Sequence, residues 1–200
     1  MEMRPIGSIT NASVEFGGTF DGKEYSIKNV NIVGVDDHGT GLFGSTGGQT
    51  TTVVRNFTLD GGYITGTKNV GAVYGMVYKT TIENVIVKNL TVEQTGEKRS
   101  AGLVANVLGS SVIKNNKVEN VEVIGALDLG EIYSNLSADS SAENNTFTNV
   151  TLTTSLNILV TSEAEFRAAL TMDHEYISLS IAQDLSVNPN FDMGGAETKR

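Results

Sequence analysis

The sequence predicts an all-β fold, a right-handed parallel β-helix of about five coils, on three observations. Five segments recur with a period near 28 residues. The composition sets 22 glycines and abundant asparagine and threonine against two prolines and no tryptophan, which suits short strands joined by tight turns. The repeat carries no helical pattern, no leucine-rich signature and none of the tryptophan motifs of propeller blades.

The repeated segments align without gaps: IKNVNIVGVDD from Ile27, VRNFTLDGGYI from Val54, IENVIVKNLTV from Ile82, IKNNKVENVEV from Ile113 and AENNTFTNVTL from Ala142. Their starts lie 27, 28, 31 and 29 residues apart. The first column is apolar. The third is asparagine throughout, as Asn29, Asn56, Asn84, Asn115 and Asn144. Asparagine tolerates left-handed backbone, and its amide can bond to the coil above, so this column is expected to form a structural ladder at a corner. The sixth column, Ile32, Leu59, Val87, Val118 and Phe147, is expected to fill the interior. The eighth, Gly34, Gly61, Asn89, Asn120 and Asn149, predicts a second corner with positive φ. The eleventh holds Ile64, Val92, Val123 and Leu152, and only the first copy departs, with Asp37.

A second element precedes the later four segments. Gly41, Gly71, Gly102 and Gly130 lie 11 to 13 residues before them and open the short runs GLFG, GAVYG, GLVAN and GEIYSN, each expected as a strand. Coils stacked at about 4.8 Å would give a rod roughly 24 Å long.

These residues resemble a known family. Gly17-Gly18-Thr19-Phe20-Asp21-Gly22 with Tyr25-Ser26-Ile27-Lys28-Asn29 is similar to the start of repeat-containing bacterial surface proteins, and Gly41-Leu42-Phe43-Gly44 looks like their GLUG motif. The resemblance covers about residues 4–154. It implies a β-helical, secreted, adhesin-like protein of the Bacteroides type, active in cell adhesion. Ala105 replaces the last motif glycine in one copy, Gly75 follows a displacing Tyr74 in another, and the Gly130 copy is degenerate.

The pattern breaks after Leu152, so residues 1–154 are expected as the β-helix and 155–200 as a separate element. There Asn157–Val160 reads as a strand. Ser162-Glu163-Ala164-Glu165 reads as a capping box opening a helix to Leu170, with Phe166, Ala169 and Leu170 on its apolar face. Residues 176–187 read as one or two further strands. This unit is either a C-terminal cap or the beginning of a second β-helix module, and a truncated multi-module protein is the preferred reading.

The chemistry of the chain limits its functions. Fourteen basic and 23 acidic residues give a net charge of −9, which argues against nucleic acid and anionic lipid as partners. Without cysteine there is no disulfide or thiolate chemistry. No apolar run has transmembrane length, so no membrane insertion is expected, and no signal peptide is evident at the start. No catalytic constellation, cofactor motif or metal site is expected. Asp36-Asp37-His38 reads as a solvated loop, His38 and His174 lie far apart, and Asp60-Gly61-Gly62 reads as a turn. Glu83 and Glu143 share the second column with Lys28, Arg55 and Lys114, the mixture of a charge-balanced solvent face. Tyr74 and Tyr133 occupy equivalent positions and are possible glycan contacts, although core or corner packing is the better reading.

The expectation is therefore a noncatalytic extracellular or bacterial cell-surface module that contacts host glycan, matrix or surface protein. A polysaccharide lyase or hydrolase, or a fragment of one, is the first alternative. A structural spacer of a larger surface protein is the second.

Overall fold

The computed structural model describes residues 2–7, 15–34, 38–96, 98–170 and 176–181. The chain forms two compact units, Met1–Thr153 and Thr154–Arg200.

The first unit is a parallel β-solenoid. In chain order its first pass is β1 (Gly18–Val33), β2 (Gly39–Thr40) and β3 (Phe43–Ser45). The second is β4 (Thr52–Gly66), β5 (Asn69–Gly71) and β6 (Tyr74–Tyr78), and the third is β7 (Thr80–Gln94), β8 (Ser100–Ala101) and β9 (Val104–Leu108). The fourth is β10 (Val112–Lys114), β11 (Lys117–Gly125), β12 (Leu129–Gly130) and β13 (Tyr133–Leu136), followed by β14 (Ser141–Glu143) and β15 (Thr146–Val160). The long sheet runs β1-β4-β7-β11-β15, with β10 beside β7 and β14; the short sheets run β2-β5-β8-β12 and β3-β6-β9-β13. Five repeat segments thus make five rungs on one wall but four on the others, which is about four turns.

Long strands pass through their corners without losing register. Across β4 and β7, Arg55 faces Glu83 and Phe57 faces Val85 on either side of Asn56, and Asp60 faces Lys88 and Gly62 faces Leu90 on either side of Gly61. Inward residues stack on their equivalents: Leu59, Val87 and Val118 form one column, Ile64, Val92 and Val123 another, all wholly buried. Each such burial stabilises by about 1.5–3 kcal/mol against exposure.

The first pass departs from the gap-free alignment. Asp21 pairs with Arg55 and Tyr25 with Phe57, so Gly22, Lys23 and Glu24 stand opposite the single residue Asn56. Beyond this bulge Ile27 pairs with Leu59 and Ile32 with Ile64. Asn29 therefore lies level with Gly61 at the second corner and is not a rung of the Asn56 ladder. The same shift moves Lys28 out of the Arg55 column, and it explains why Asp37 broke the eleventh column: Ile32 belongs there. Asp36 and Asp37 themselves lie outside the described residues.

The glycine-led runs are not single strands. Each breaks at its glycine (Gly41, Gly102) or just after it (Gly71, Gly130), between β2 and β3, β8 and β9, β5 and β6, and β12 and β13. The chain turns too tightly there for a side chain: a Cβ on Gly71 would lie 2.4 Å from the Tyr74 carbonyl of its own coil and 2.9 Å from the Ala105 nitrogen of the next, and one on Gly130 2.1 Å from the Tyr133 carbonyl.

One end of the solenoid is covered by the N-terminal segment. Met3 bridges to Ile32 and Ile6 to Phe43, and below them Phe16 and Phe20 pack on Phe43 with ring centroids 4.9 and 5.4 Å apart.

In the second unit, Ser155–Val160 of β15 pairs in parallel with β16 (Tyr176–Ile181), and α1 (Glu163–Leu170) lies between them in sequence. Ser162 is the N-cap, its hydroxyl accepting from the Glu165 N–H at 3.3 Å. The Glu165 carboxylate reaches Thr161 N–H at 2.8 Å, one residue beyond the expected capping-box partner. Ala169 is buried and Phe166 half-buried. Of the one or two strands expected over 176–187, the part from 182 to 187 lies outside the described residues, as does His174.

Candidate functional site: an amide-laddered face

Two asparagine ladders run up the long wall. Asn56, Asn84, Asn115 and Asn144 have φ of 56°, 55°, 57° and 53°, the left-handed region that asparagine adopts at least cost among side-chain-bearing residues. Asn84 Nδ2 donates to Asn56 Oδ1 at 3.1 Å and Asn144 Nδ2 to Asn115 Oδ1 at 3.3 Å. Asn56 Nδ2 donates to Asp21 Oδ1 at 3.2 Å.

The second ladder lies five residues on. Asn89, Asn120 and Asn149 have φ of 57°, 51° and 52°, and Asn29, with φ 53°, occupies the same corner. Asn149 donates to Asn120 at 3.1 Å, Asn120 to Asn89 at 3.2 Å and Asn89 to Asp60 at 2.8 Å. An amide has two N–H groups and a carbonyl with two lone pairs. A rung spends one N–H and one lone pair vertically, leaving the rest to face outward.

A third, inward ladder was not foreseen. In the last two rungs, Asn116 and Asn145 stand where earlier rungs have Phe57 and Val85. Asn116 is buried; its Oδ1 accepts from Val85 N–H at 3.0 Å, and its Nδ2 donates to the Ile82 carbonyl at 3.0 Å and Asn145 Oδ1 at 2.9 Å. The opposite corner uses hydroxyls instead: Thr46 and Thr80 lie 3.1 Å apart, Ser111 Oγ accepts from Thr80 N–H, and Ser140 Oγ from Ser111 N–H. Serine and threonine are too common in this sequence for that column to stand out.

Charges alternate along the coils. One outward column reads Asp21, Arg55, Glu83, Lys114, Glu143. Arg55 lies 3.3 Å from Asp21 and 3.5 Å from Glu83, and Lys114 lies 3.0 Å from Glu83. A second reads Lys28, Asp60, Lys88, Glu119, with Lys88 3.6 Å from Asp60. The Lys23 backbone N–H and the Asn56 amide pull Asp21 down to about 2. Asp60 is lowered chiefly by the Asn89 amide, and Glu83 by Lys114.

Two shallow grooves of about 380 Å³ follow the ladders. One is lined by Asn89, Asn120 and Asn149 with Thr91, Glu122 and Thr151; the other by Asn84, Asn115 and Asn144 with Ile86, Lys117 and Thr146. At the first, Glu122 pairs with Thr91 and Ile124 with Glu93, which makes Glu93 and Glu122 diagonal neighbours on adjacent coils. Burial, then the Glu122 charge, raises the Glu93 carboxyl above its ordinary value. This carboxylate pair went unnoticed in the sequence because its members occupy different columns.

Tyr74 is not a surface contact. It is wholly buried, stacked on Phe43 at 5.2 Å, with no partner for its hydroxyl among the described residues, and burial raises that hydroxyl far above the usual tyrosine range. Tyr133 is half-buried, whereas Tyr25 and Tyr63 are exposed. His38 contributes its backbone carbonyl to Asn69. Among the described residues, no three His, Cys, Asp or Glu side chains cluster as metal ligands, and no helix is long and apolar enough to cross a membrane.

Fold and ladders define a repeat β-solenoid. No family model and no solved structure matches the chain. It is similar to Halomucin of Haloquadratum walsbyi, at 33% identity over 109 residues, which is 54% of this chain. The match takes in 1% of the length of that relative.

Proposed function

We propose that this chain is a noncatalytic cell-surface or secreted module whose laddered wall contacts glycan or matrix, in the manner of adhesin-like GLUG-repeat proteins. The observation that carries the reading is the groove along Asn89, Asn120 and Asn149, where outward amide groups repeat once per coil beside Thr91, Thr151 and Glu122. Sugars are recognised by such rows of short polar groups held on a rigid frame, because the orienting entropy is spent in folding rather than binding. Similarity to a stretch of a protein named Halomucin supports the location. A glycan and matrix-protein array tests the reading. Binding that is lost in Asn120→Ala with Glu122→Gln supports it, and silence across the array overturns it.

One observation favours a polysaccharide-active enzyme as the second reading. Diagonal strand neighbours lie roughly 7 Å apart, within the spacing of carboxylate pairs in glycoside hydrolysis, and the raised Glu93 would be the acid. Release of reducing ends from a polysaccharide panel, abolished by Glu93→Gln, would establish it.

A further inference from the structure

We infer that the end of the solenoid at β14 and β15 is a strand-accepting surface, whose occupant is a parallel strand carrying a basic residue directly before an asparagine. Phe147 belongs to the inward column of Leu59, Val87 and Val118, each wholly buried, yet it is 54% exposed. Ala142, Val150 and Leu152 likewise only partly bury against the core, while their counterparts Ile113, Val121 and Val123 are enclosed. A groove of about 360 Å³ opens among Tyr133, Ala142, Asn145 and Phe147. Among the described residues, strands β12 and β13 end their sheets, β14 pairs only with β10, and pairing of β15 with β16 begins at Ser155. An apolar, one-sided edge of this kind is a template for another strand.

The ladders specify what that strand carries. Asn144 and Asn149 donate to the rungs below them, and their own carbonyl oxygens accept from nothing among the described residues. Glu143 closes the alternating column and has no ion pair among the described residues. The next rung therefore calls for a cation against Glu143 and an asparagine against Asn144, as Lys114-Asn115 supplies within the solenoid. A second copy stacked head to tail does not meet this demand. It would set Asp21 against Glu143, place the Gly22–Glu24 bulge where a plain corner is needed, and meet Met3 and Ile6 already seated on the far end.

The test uses the full chain and two synthetic strands, IKNNKVENVEVI (the Ile113–Ile124 rung) and its Lys114→Glu counterpart. Hydrogen exchange at low ionic strength should show protection of Ser141–Glu143 and of residues 146–153. The lysine strand should achieve it at about fivefold lower concentration, the scale of one exposed charge pair changed from attractive to repulsive. Glu143→Lys in the protein should reverse the preference, and Phe147→Lys should abolish protection by both strands. Equal protection by the two strands, or none by either, would overturn the inference. So would a stable dimer in sedimentation whose β14 and β15 amides are already protected, because the occupant would then be a second copy.

Discussion

Replacing Asn116 by alanine removes one side chain and strands three partners. Val85 N–H loses its acceptor, the Ile82 carbonyl its donor and Asn145 Oδ1 one of its two donors. The site is buried, so water does not readily substitute, and each orphaned buried group costs about 1–3 kcal/mol. Asn145 keeps the bond from the Asn116 backbone at 3.0 Å, which leaves two full orphans and a partial one, or about 3–5 kcal/mol. Asn116→Val should lose nearly as much, although valine fills the equivalent site at Val85, because the stranded groups belong to the backbone of the neighbouring rung. Asn144→Ala, which loses a single exposed amide bond and a left-handed asparagine, should cost about 1–2 kcal/mol. Urea unfolding followed by circular dichroism measures all three, and a Tm shift of about 2–4 °C per kcal/mol gives an independent reading. Asn116→Val within about 1 kcal/mol of the parent would refute the reasoning, since it would mean the inward ladder holds nothing that packing cannot replace.

Other outcomes follow from single features. Tyr74→Phe should be neutral or stabilising by about 1 kcal/mol, because the hydroxyl is buried without a partner among the described residues; clear destabilisation in the same melts would reveal a bond to that oxygen. Gly62→Ala should destabilise by several kcal/mol, since φ is +130° and a Cβ would lie 2.0 Å from the Val30 carbonyl; Gly61→Ala, facing the movable end of Asn29, should cost less. Stability should fall as pH drops from about 5 towards 2. The folded values of Asp21, Asp60 and Glu83 lie below their unfolded values near 4, so their contribution is complete above about pH 4 and is lost as the folded forms protonate. Asp21→Asn should flatten that slope in thermal melts taken across the pH range. Glu93 has the opposite sign: its folded value is raised, so Glu93→Gln should stabilise at pH 7 and make no difference below about pH 4.

How far the sequence could be read depended on how many demands met at one position. Asn84, Asn115 and Asn144 were visible because a left-handed corner and a vertical amide bond ask for the same residue. That visibility also misled. The two corners stand five residues apart and both accept asparagine, so sliding the first copy by one corner still sets Asn29 on the Asn56 column and Gly34 on the Gly61 column. Only backbone pairing exposes the Gly22–Glu24 bulge. The alternating charges became legible once that register was corrected, with Asp21 replacing Lys28 beside Arg55. The Glu93 and Glu122 pair stayed hidden because diagonal proximity crosses columns, and Tyr74 because a tyrosine after a motif glycine looks the same whether its ring faces core or solvent.

The sequence by itself determined the β-solenoid, its period and its Asn corners, because a stacked repeat must satisfy the same local geometry in every coil. The tertiary structure decided the first coil's register, the inward Asn116–Asn145 ladder, the N-terminal cover and the half-open face at Phe147. Those depend on which residue stands above which.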